Sequence, residues 1–340
     1  MEQEYDFIAV GDTVTDAFIS IKAASVFRTE NPDGVVDEEL CFLNGAKIPY
    51  ESATIIPAVG NSANAAVSAV RLGLKTAFVS DVGADTPGKE ILETLKKQGV
   101  DTRLVRVHEG MTSNYHYVLM HGPERTILIK HEKYPYKLPD HMGTPKWLYF
   151  SSVGEDSLAY HQEIAAYLGA HPNVKLAFQP GTYQIKFGKE ALKDLYARTE
   201  IFFCNVEEAR LILGTNESKP EKLPKMMSAI GPKISVVTDG PKGAYAYDSY
   251  TGRSYFMPPY PDPKPPVSRT GAGDACSSTI TVALALGLPI ETALQWGPIN
   301  SMNVVQHVGA QTGLLTRAEL EQLLATRPAD YFAKEIPVEK

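Results

Sequence analysis

Residues 269–275 of the chain read Arg-Thr-Gly-Ala-Gly-Asp-Ala and lead directly into a run of apolar and small residues at 276–286. The run predicts a helix. The two glycines before it predict a loop whose backbone N–H groups can turn toward a bound oxyanion, because glycine has no Cβ. The first helical turn adds N–H groups without intrahelical partners and the positive end of the helix dipole. The stretch therefore predicts a phosphate-binding loop at a helix N-terminus.

Asp274 is the unexpected residue in such a loop. A carboxylate repels a phosphate unless it is there to take a proton or to hold a metal. The competing interpretation is that Asp274 caps the helix, since aspartate is among the most favourable N-cap residues. The segment alone leaves both interpretations open.

Composition narrows the class of protein. The 340 residues can bury a large core in one or two domains. A net charge of -7 with scattered basic residues argues against a nucleic-acid partner. The three cysteines form no CxxC pair, which fits a reducing compartment without a thiolate metal site. The acidic N-terminus lacks the features of a signal peptide and no apolar run approaches a membrane span, so we expect a cytoplasmic protein without a membrane partner.

Short apolar runs alternate with helical patterns along most of the chain. The alternation predicts a mainly parallel sheet with helices on both faces, and a ligand crevice at the carboxyl ends of its strands. The predicted strands lie at 7–10, 76–80, 146–151, 176–178, 201–204 and 234–238.

Two regions break this alternation. Residues 15–56 contain alternating strand-like runs and no convincing helix, and residues 115–120 and 126–130 predict a hairpin. Together they predict a small β-sheet over the crevice, where a lid would exclude water from a transfer reaction. A β-rich surface excursion or a dimer interface is the alternative.

The predicted organisation has three parts. Residues 1–14, 57–110 and 135–330 form an α/β core, residues 15–56 and 111–134 form the β lid, and residues 331–340 form a peripheral tail. Thr316 and Glu319 predict a capping box for the last helix of the core.

Together these segments resemble the ribokinase-like, or PfkB, family of carbohydrate kinases over nearly the whole chain. The C-terminal signature of that family ends in Gly-Ala-Gly-Asp, as at 271–274, and its N-terminal signature is similar to Val-Gly-Asn-Ser-Ala-Asn-Ala-Ala at 59–66. Segments 205–208, 238–243 and 309–311 also resemble the family. The resemblance implies a three-layer α/β/α fold with a mainly parallel central sheet and a small β-sheet lid.

The resemblance also implies an ATP-dependent kinase that acts on a small sugar or a nucleoside. Asp274 would be the general base that takes a proton from the attacking hydroxyl, and the amides of Gly271, Ala272 and Gly273 would stabilise the transferring phosphoryl group. Asn205 and Glu208 would help to place Mg²⁺ through water. A helix capping box formed by this pair is an alternative that is compatible with the metal role.

Two further sets of residues follow from the resemblance. The nucleotide would contact Thr238, Gly240 and Gly243 at its phosphates and ribose, and Asn303, His307, Gly309 and Ala310 near its adenine. The acceptor would contact Asp12, Asp16, Gly60 and Asn64. The alternatives are a polar residue on a helix face for His307, and turn aspartates that bond their own backbone for Asp12 and Asp16.

The chain departs from the family pattern at three points. The paired glycine is reduced to Val59-Gly60, which makes the acceptor uncertain. The family aspartate that helps to hold an activating monovalent cation is replaced by Ser268, beside Arg269, so dependence on such a cation is doubtful. Gln179 occupies a strand end where many relatives carry aspartate, and its neutral amide would bind a hydroxyl without repelling phosphate.

Other functions and substrates remain in competition. No Gly-x-Gly-x-x-Gly follows the first strand, which argues against a nicotinamide dehydrogenase. A catalytically silent sugar- or nucleotide-binding relative would be expected to have lost the base, which is intact. Basic residues in and near the lid raise a phosphosugar kinase as an alternative to an unphosphorylated acceptor. The lid edge could pair in a homodimer, or residues 15–56 could cover it within a monomer. The basic residues in and near the lid that could bind a phosphosugar are Lys47, Arg125, Lys130 and Lys133.

Overall fold

The computed structural model describes residues 5–22, 24–30, 36–122 and 124–338, which form sixteen strands and ten α-helices. The strands are β1 (Phe7–Val10), β2 (Val14–Ile21), β3 (Ser25–Glu30), β4 (Val36–Cys41), β5 (Tyr50–Val59), β6 (Thr76–Gly83), β7 (Val105–His108), β8 (Tyr115–His121), β9 (Glu124–Leu128), β10 (Trp147–Phe150), β11 (Lys175–Phe178), β12 (Thr199–Asn205), β13 (Ile234–Thr238), β14 (Ala244–Asp248), β15 (Arg253–Met257) and β16 (Lys334–Ile336). The helices are α1 (Asn61–Arg71), α2 (Thr86–Lys97), α3 (Leu158–Ala170), α4 (Thr182–Ala191), α5 (Lys193–Arg198), α6 (Val206–Leu213), α7 (Leu223–Ser228), α8 (Ala272–Ala285), α9 (Ile290–Val304) and α10 (Arg317–Ala325).

The central sheet has ten strands in the order β16-β15-β14-β13-β12-β11-β10-β1-β6-β7. The strands from β13 to β7 in this order are parallel, and β14, β15 and β16 add antiparallel strands at one edge. All six core strands predicted from the sequence are present. The sequence reasoning missed β7 and the antiparallel edge, whose partly exposed residues lack a continuous apolar run.

Side chains on the two faces of the sheet enter two separate cores. Phe7 and Ala9 of β1 pack into the core that contains residues of α1, α2, α8, α9 and α10. Ile8 and Val10 of the same strand enter the core with residues of α3, α5, α6 and α7. Successive side chains of a strand point to opposite faces, so a fully buried strand feeds both cores. The result is the predicted three-layer α/β/α arrangement.

The predicted lid region forms a separate four-stranded sheet in the order β5-β2-β8-β9. The predicted hairpin is confirmed by the antiparallel pairing of β8 with β9. Strands β3 and β4 form a further two-stranded sheet. Arg125 of β9 donates a hydrogen bond to Thr270 Oγ1 at 2.8 Å, which places the lid against the glycine loop of the core.

The last segment differs from the expected peripheral tail. Strand β16 pairs with β15 and so extends the central sheet. Tyr331 is only 2% exposed, and its hydroxyl donates to the backbone oxygen of Gln295. The expectation for 331–340 therefore needs correction, because an aromatic side chain and backbone pairing tie this segment to the core. No helix among the described residues combines the length and apolar character that a membrane span requires.

Candidate active site

Glycine is required at the start of α8 for two reasons. Gly271 is the N-cap residue and has φ 81°, a conformation that residues with a Cβ rarely adopt. A Cβ on Gly271 would also lie 2.4 Å from the Cβ of Ala310. A Cβ on Gly273, by contrast, would meet nothing within 4 Å. The space beside Gly273 is therefore open, while the Ala272 N–H donates to the backbone oxygen of Arg269 at 3.4 Å.

Asp274 does not cap α8, so the capping interpretation is wrong. It is the third residue of the helix, and the N-cap position belongs to Gly271. Its carboxylate instead accepts hydrogen bonds from three side-chain amides. Asn61 Nδ2 donates to Oδ1 at 2.8 Å, Asn64 Nδ2 donates to Oδ2 at 2.8 Å, and Gln179 Nε2 donates to Oδ1 at 3.1 Å.

Burial raises the pKa of Asp274 above its ordinary value of 3.8, although the three amide donors oppose the increase. The side chains of Asn61, Asn64 and Gln179 contribute hydrogen bonds to Asp274 but no positive charge. A carboxylate with a raised pKa is a stronger base than an exposed aspartate. The environment thus suits Asp274 to proton abstraction.

A second group of side chains orients Gln179. Its Oε1 accepts hydrogen bonds from the hydroxyls of Tyr149 and Ser277, the latter at 2.9 Å. This leaves Nε2 to donate to Asp274. Sequence reasoning identified Gln179 but missed Asn61, Tyr149 and Ser277. The signal available for Asn61 was its position three residues before Asn64, which places both on one face of α1.

The residues predicted to contact the acceptor include Gly60 and Asn64, at the N-terminus of α1. Gly60 has φ 118°, and a Cβ there would lie 2.8 Å from the backbone oxygen of Asp12, so the remaining glycine of the pair is required. Asn64 Nδ2 donates to Asp274, and its Oδ1 accepts from Gln311 Nε2 at 2.9 Å. Gly60 and Asn64 are therefore held in place beside Asp274.

Asp12 and Asp16 contact two histidines from the lid region. His131 Nδ1 lies 3.3 Å from Asp12 Oδ2, and His116 Nδ1 lies 3.3 Å from Asp16 Oδ1. The two imidazole rings are 5.2 Å apart. Asp12 also accepts from the Tyr136 hydroxyl at 2.9 Å, and burial raises its pKa. The side-chain partners of both aspartates come from distant segments, so the turn interpretation is wrong, and sequence reasoning missed both histidines and Tyr136.

A cavity of about 400 Å³ adjoins the first turn of α8. Its lining includes Ala272, Gly273 and the loop residue Arg269. It also includes three residues that were predicted to contact the nucleotide. Pro298, Ser301, Met302 and Val305 form the opposite wall. The three predicted residues are Thr238, Gly240 and Gly243.

The residues predicted near the adenine do not line this cavity. Asn303 Nδ2 donates to the backbone oxygen of Gly313 at 2.7 Å. Ala310 packs against Gly271, and a Cβ on Gly309 would meet Ile56 of the lid. The cavity wall follows the helical spacing 298, 301, 302 and 305, so positions 303 and 307 lie on another face. The contact of Asn303, His307, Gly309 and Ala310 with an adenine therefore stays a prediction, outside the lining of this cavity.

Asn205 and Glu208 form the expected capping box of α6. Asn205 Oδ1 accepts from the Glu208 N–H at 2.8 Å, and Glu208 Oε2 accepts from the Asn205 N–H at 2.9 Å. Burial raises the pKa of Glu208, and the negative charges of Glu207 and Asp274 add to the increase. Across the described part of the chain, no three His, Cys, Asp or Glu side chains are grouped to hold a metal ion.

Comparison with known proteins identifies the family. Residues 54–317 match the model of the pfkB family of carbohydrate kinases. The chain is 28% identical over 282 residues to 5-dehydro-2-deoxygluconokinase of Shouchella clausii, covering 78% of this chain and 85% of the relative. It is 27% identical over 275 residues to ribokinase of Bacillus subtilis, covering 78% of this chain and 87% of the relative.

The fold is also that of solved ribokinases. The structure of Arabidopsis thaliana ribokinase, determined with ribose and ATP, superposes with a TM-score of 0.79 at 19% sequence identity and covers 95% of this chain and 99% of that chain. The family match over 54–317 and the named relatives make this chain an enzyme that phosphorylates an alcohol group. The chain belongs to the pfkB family of carbohydrate kinases.

Proposed function

We propose that the chain transfers the γ-phosphoryl group of ATP to a hydroxyl group of a small sugar or nucleoside, with Asp274 as the base. The position of Asp274 carries this proposal. Its carboxylate faces Asn61 and Asn64 of α1, while Ala272 and Gly273 of the same helical turn line the adjoining cavity. A base between an acceptor site and a phosphate site is the arrangement that phosphoryl transfer needs.

The proposed reaction needs little covalent participation by the protein. Asp274 takes the proton of the acceptor hydroxyl as its oxygen attacks the γ-phosphorus, and the bond to the β-phosphate oxygen breaks to release ADP. The amides of Gly271, Ala272 and Gly273 stabilise the charge on the transferring group, and the Ala272 N–H gives up its long hydrogen bond to Arg269 to do so. Asn61, Asn64 and Gln179 keep the carboxylate aimed at the acceptor.

Asn205 and Glu208 fit a water-mediated Mg²⁺ site. Glu208 is largely buried near the negative charges of Glu207 and Asp274, and a cation would offset that repulsion. Mg²⁺ keeps much of its water shell, so one or two protein oxygens suffice. When bound, the ion would neutralise charge on the nucleotide phosphates. Ser268 supplies only a hydroxyl, which bonds to Thr270, so we include no monovalent cation in the proposal.

The charges around the acceptor side favour an unphosphorylated substrate. Three of the four basic residues in and near the lid that could bind a phosphate already have partners. Arg125 donates to the glycine loop, Lys130 pairs with Glu132 at 2.7 Å, and Lys133 pairs with Asp156 at 2.8 Å. The acceptor wall instead carries the carboxylates of Asp12 and Asp16, which accept hydrogen bonds from hydroxyl groups and repel a phosphate.

A coupled assay of ADP release tests the proposal. Ribose, 5-dehydro-2-deoxygluconate, cytidine, adenosine and ribose 5-phosphate are supplied in turn with ATP and Mg²⁺. We expect turnover with an unphosphorylated sugar or nucleoside and none with ribose 5-phosphate. If ATP binds but no acceptor releases ADP, the chain is a silent nucleotide-binding relative and the kinase proposal fails.

We further propose that the chain forms a homodimer through the lid and that it is located in the cytoplasm. Ile55, Tyr117 and Leu128 lie on one face of the lid sheet, as the registers of β5, β2, β8 and β9 require, and all three are exposed. The free thiols of Cys41, Cys204 and Cys276 fit a reducing compartment. Light scattering should give a dimer mass for the native chain and a monomer mass for Tyr117→Lys; a monomeric native chain would refute the assembly.

A further inference from the structure

A second cavity, of about 680 Å³, lies between α3 and the α4–α5 segment. None of its lining residues belongs to the active site. His161 of α3 and Arg198 at the end of α5 are its less exposed polar residues, while Glu190, Lys193 and Asp194 are exposed. The volume is within the range of cavities that hold small ligands.

His161 presents a hydrogen-bond acceptor that nothing in the described chain satisfies. The residue is 1% exposed, between the rings of Phe150 and Phe187 at centroid distances of 4.9 and 5.6 Å. Its Nδ1 lies 2.7 Å from the backbone oxygen of Ser157 and must carry the proton, because a carbonyl only accepts. Burial lowers the pKa of His161 to about 4, so the ring is neutral and Nε2 keeps a lone pair. Among the described residues this buried Nε2 has no hydrogen-bond partner.

Arg198 presents the complementary group. Its Nη2 donates to the backbone oxygen of Leu168 at 2.9 Å, which fixes the guanidinium against α3. Its Nε is buried without a hydrogen-bond partner, and no carboxylate of the described residues forms an ion pair with it. The backbone oxygen that holds Arg198 belongs to Leu168, which follows His161 by seven residues, a rise of roughly 10 Å along α3. This distance suits a ligand of a few carbon atoms.

We propose that this cavity binds a small hydroxylated anion, a polyol phosphate or a hydroxy acid, whose hydroxyl donates to His161 Nε2 and whose anionic oxygens accept from Arg198. Buried polar atoms are normally paired, and a guanidinium forms its strongest hydrogen bonds with an anion. The acids Glu190 and Asp194 are exposed to water, where their charges are screened. Lys193 adds a further positive charge at the rim.

Isothermal titration of the full chain with glycerol 3-phosphate and with glycerate tests the proposal and separates the two anionic groups. An unreactive ATP analogue and Mg²⁺ are kept saturating, so that the nucleotide site is occupied. We expect at least one of the two compounds to bind the native chain. His161→Phe, which keeps an aromatic ring between Phe150 and Phe187, and Arg198→Gln should each weaken binding by about tenfold or more, as the loss of one hydrogen bond in a buried site predicts.

Arg210→Gln is the matched control, because Arg210 lies on α6 outside the cavity and donates to the backbone of Glu217. The Arg210→Gln variant should bind the two compounds as the native chain does. Thermal unfolding monitored by circular dichroism confirms that each variant folds, and His161→Phe decides alone if Arg198→Gln does not fold. Absence of binding by both compounds overturns the proposal. So does unchanged binding in a folded His161→Phe or a folded Arg198→Gln variant.

Discussion

Replacing Asp274 with asparagine removes the proposed base and keeps the shape of the side chain. An asparagine amide cannot take the proton of the acceptor hydroxyl. A positioned general base typically contributes a factor of about 10²–10⁴ to the rate, which is about 3–5 kcal/mol of transition-state stabilisation. We therefore expect kcat to fall by about 10²–10⁴. The affinity for ATP should change little, because the carboxylate contacts Asn61, Asn64 and Gln179 rather than the nucleotide cavity.

The same substitution should have only a small effect on stability. Burial raises the pKa of Asp274, so its charge is less favourable in the folded chain than in water. Removing the charge relieves that cost. The new NH₂ group, however, faces amide donors, and one unsatisfied donor costs about 1–3 kcal/mol. These opposing effects should keep the free energy of unfolding within about 2 kcal/mol of the native value.

Asp140→Asn provides the control, because it makes the same change of charge at a side chain that is 88% exposed. ADP release, ATP titration calorimetry and urea unfolding are measured for both variants. A loss of kcat smaller than tenfold in Asp274→Asn would refute the assignment of the base. A loss of activity matched by an equal loss of unfolding free energy would assign Asp274 a structural role instead.

Three other predictions follow from the same geometry. The value of kcat/KM should rise with pH through an apparent pKa above 3.8, because Asp274 acts only when ionised and burial raises its pKa. Between pH 3.8 and that higher pKa, the contribution of Asp274 to the free energy of unfolding should fall as the pH rises. The pH profiles of the rate and of unfolding, compared between the native chain and Asp274→Asn, measure both effects. Gly271→Ala should lower the free energy of unfolding by about 1–3 kcal/mol, since φ at Gly271 is 81° and the new Cβ would overlap a facing alanine. Gly273→Ala should instead fold normally and raise the KM for ATP. Arg125→Gln should raise KM, because Arg125 links the lid to the glycine loop. It should leave the unfolding midpoint unchanged, because Arg125 is exposed. Unchanged kinetics would contradict a lid role for that contact.

The core strands and the lid were predictable because their signals are local. Buried parallel strands give short apolar runs, and the lid hairpin gives two alternating runs on either side of a turn. The capping boxes of α6 and α10 were predictable for the same reason, since each depends on residues three positions apart. The resemblance to carbohydrate kinases added what local pattern cannot provide, namely that distant glycine and asparagine segments meet at one site.

Helix α9 shows what local pattern does not reveal. Asn303 lies near the end of α9 and His307 just beyond it, and the resemblance to carbohydrate kinases made both candidates for contact with an adenine. The cavity beside α8 is lined by Pro298, Ser301 and Met302, and the contact of Asn303 and His307 with a nucleotide stays a prediction. Which face of a helix meets a cavity depends on how that helix packs on its neighbours, here chiefly α8. A helix with apolar residues on most faces gives no such information from sequence.

The same limitation explains the alternatives that the sequence left open for Asp274. Capping and catalysis require the same residue type, and they differ only in whether the aspartate precedes the helix or lies within its first turn. Gly271 settles this, because its positive φ makes it the N-cap and places Asp274 three residues into α8. The carboxylate then faces Asn64, 210 residues away in sequence, rather than its own backbone. Glycine at 271, required by its φ of 81° and by the close approach of Ala310, therefore takes the N-cap position and leaves the carboxylate of Asp274 to bond with α1.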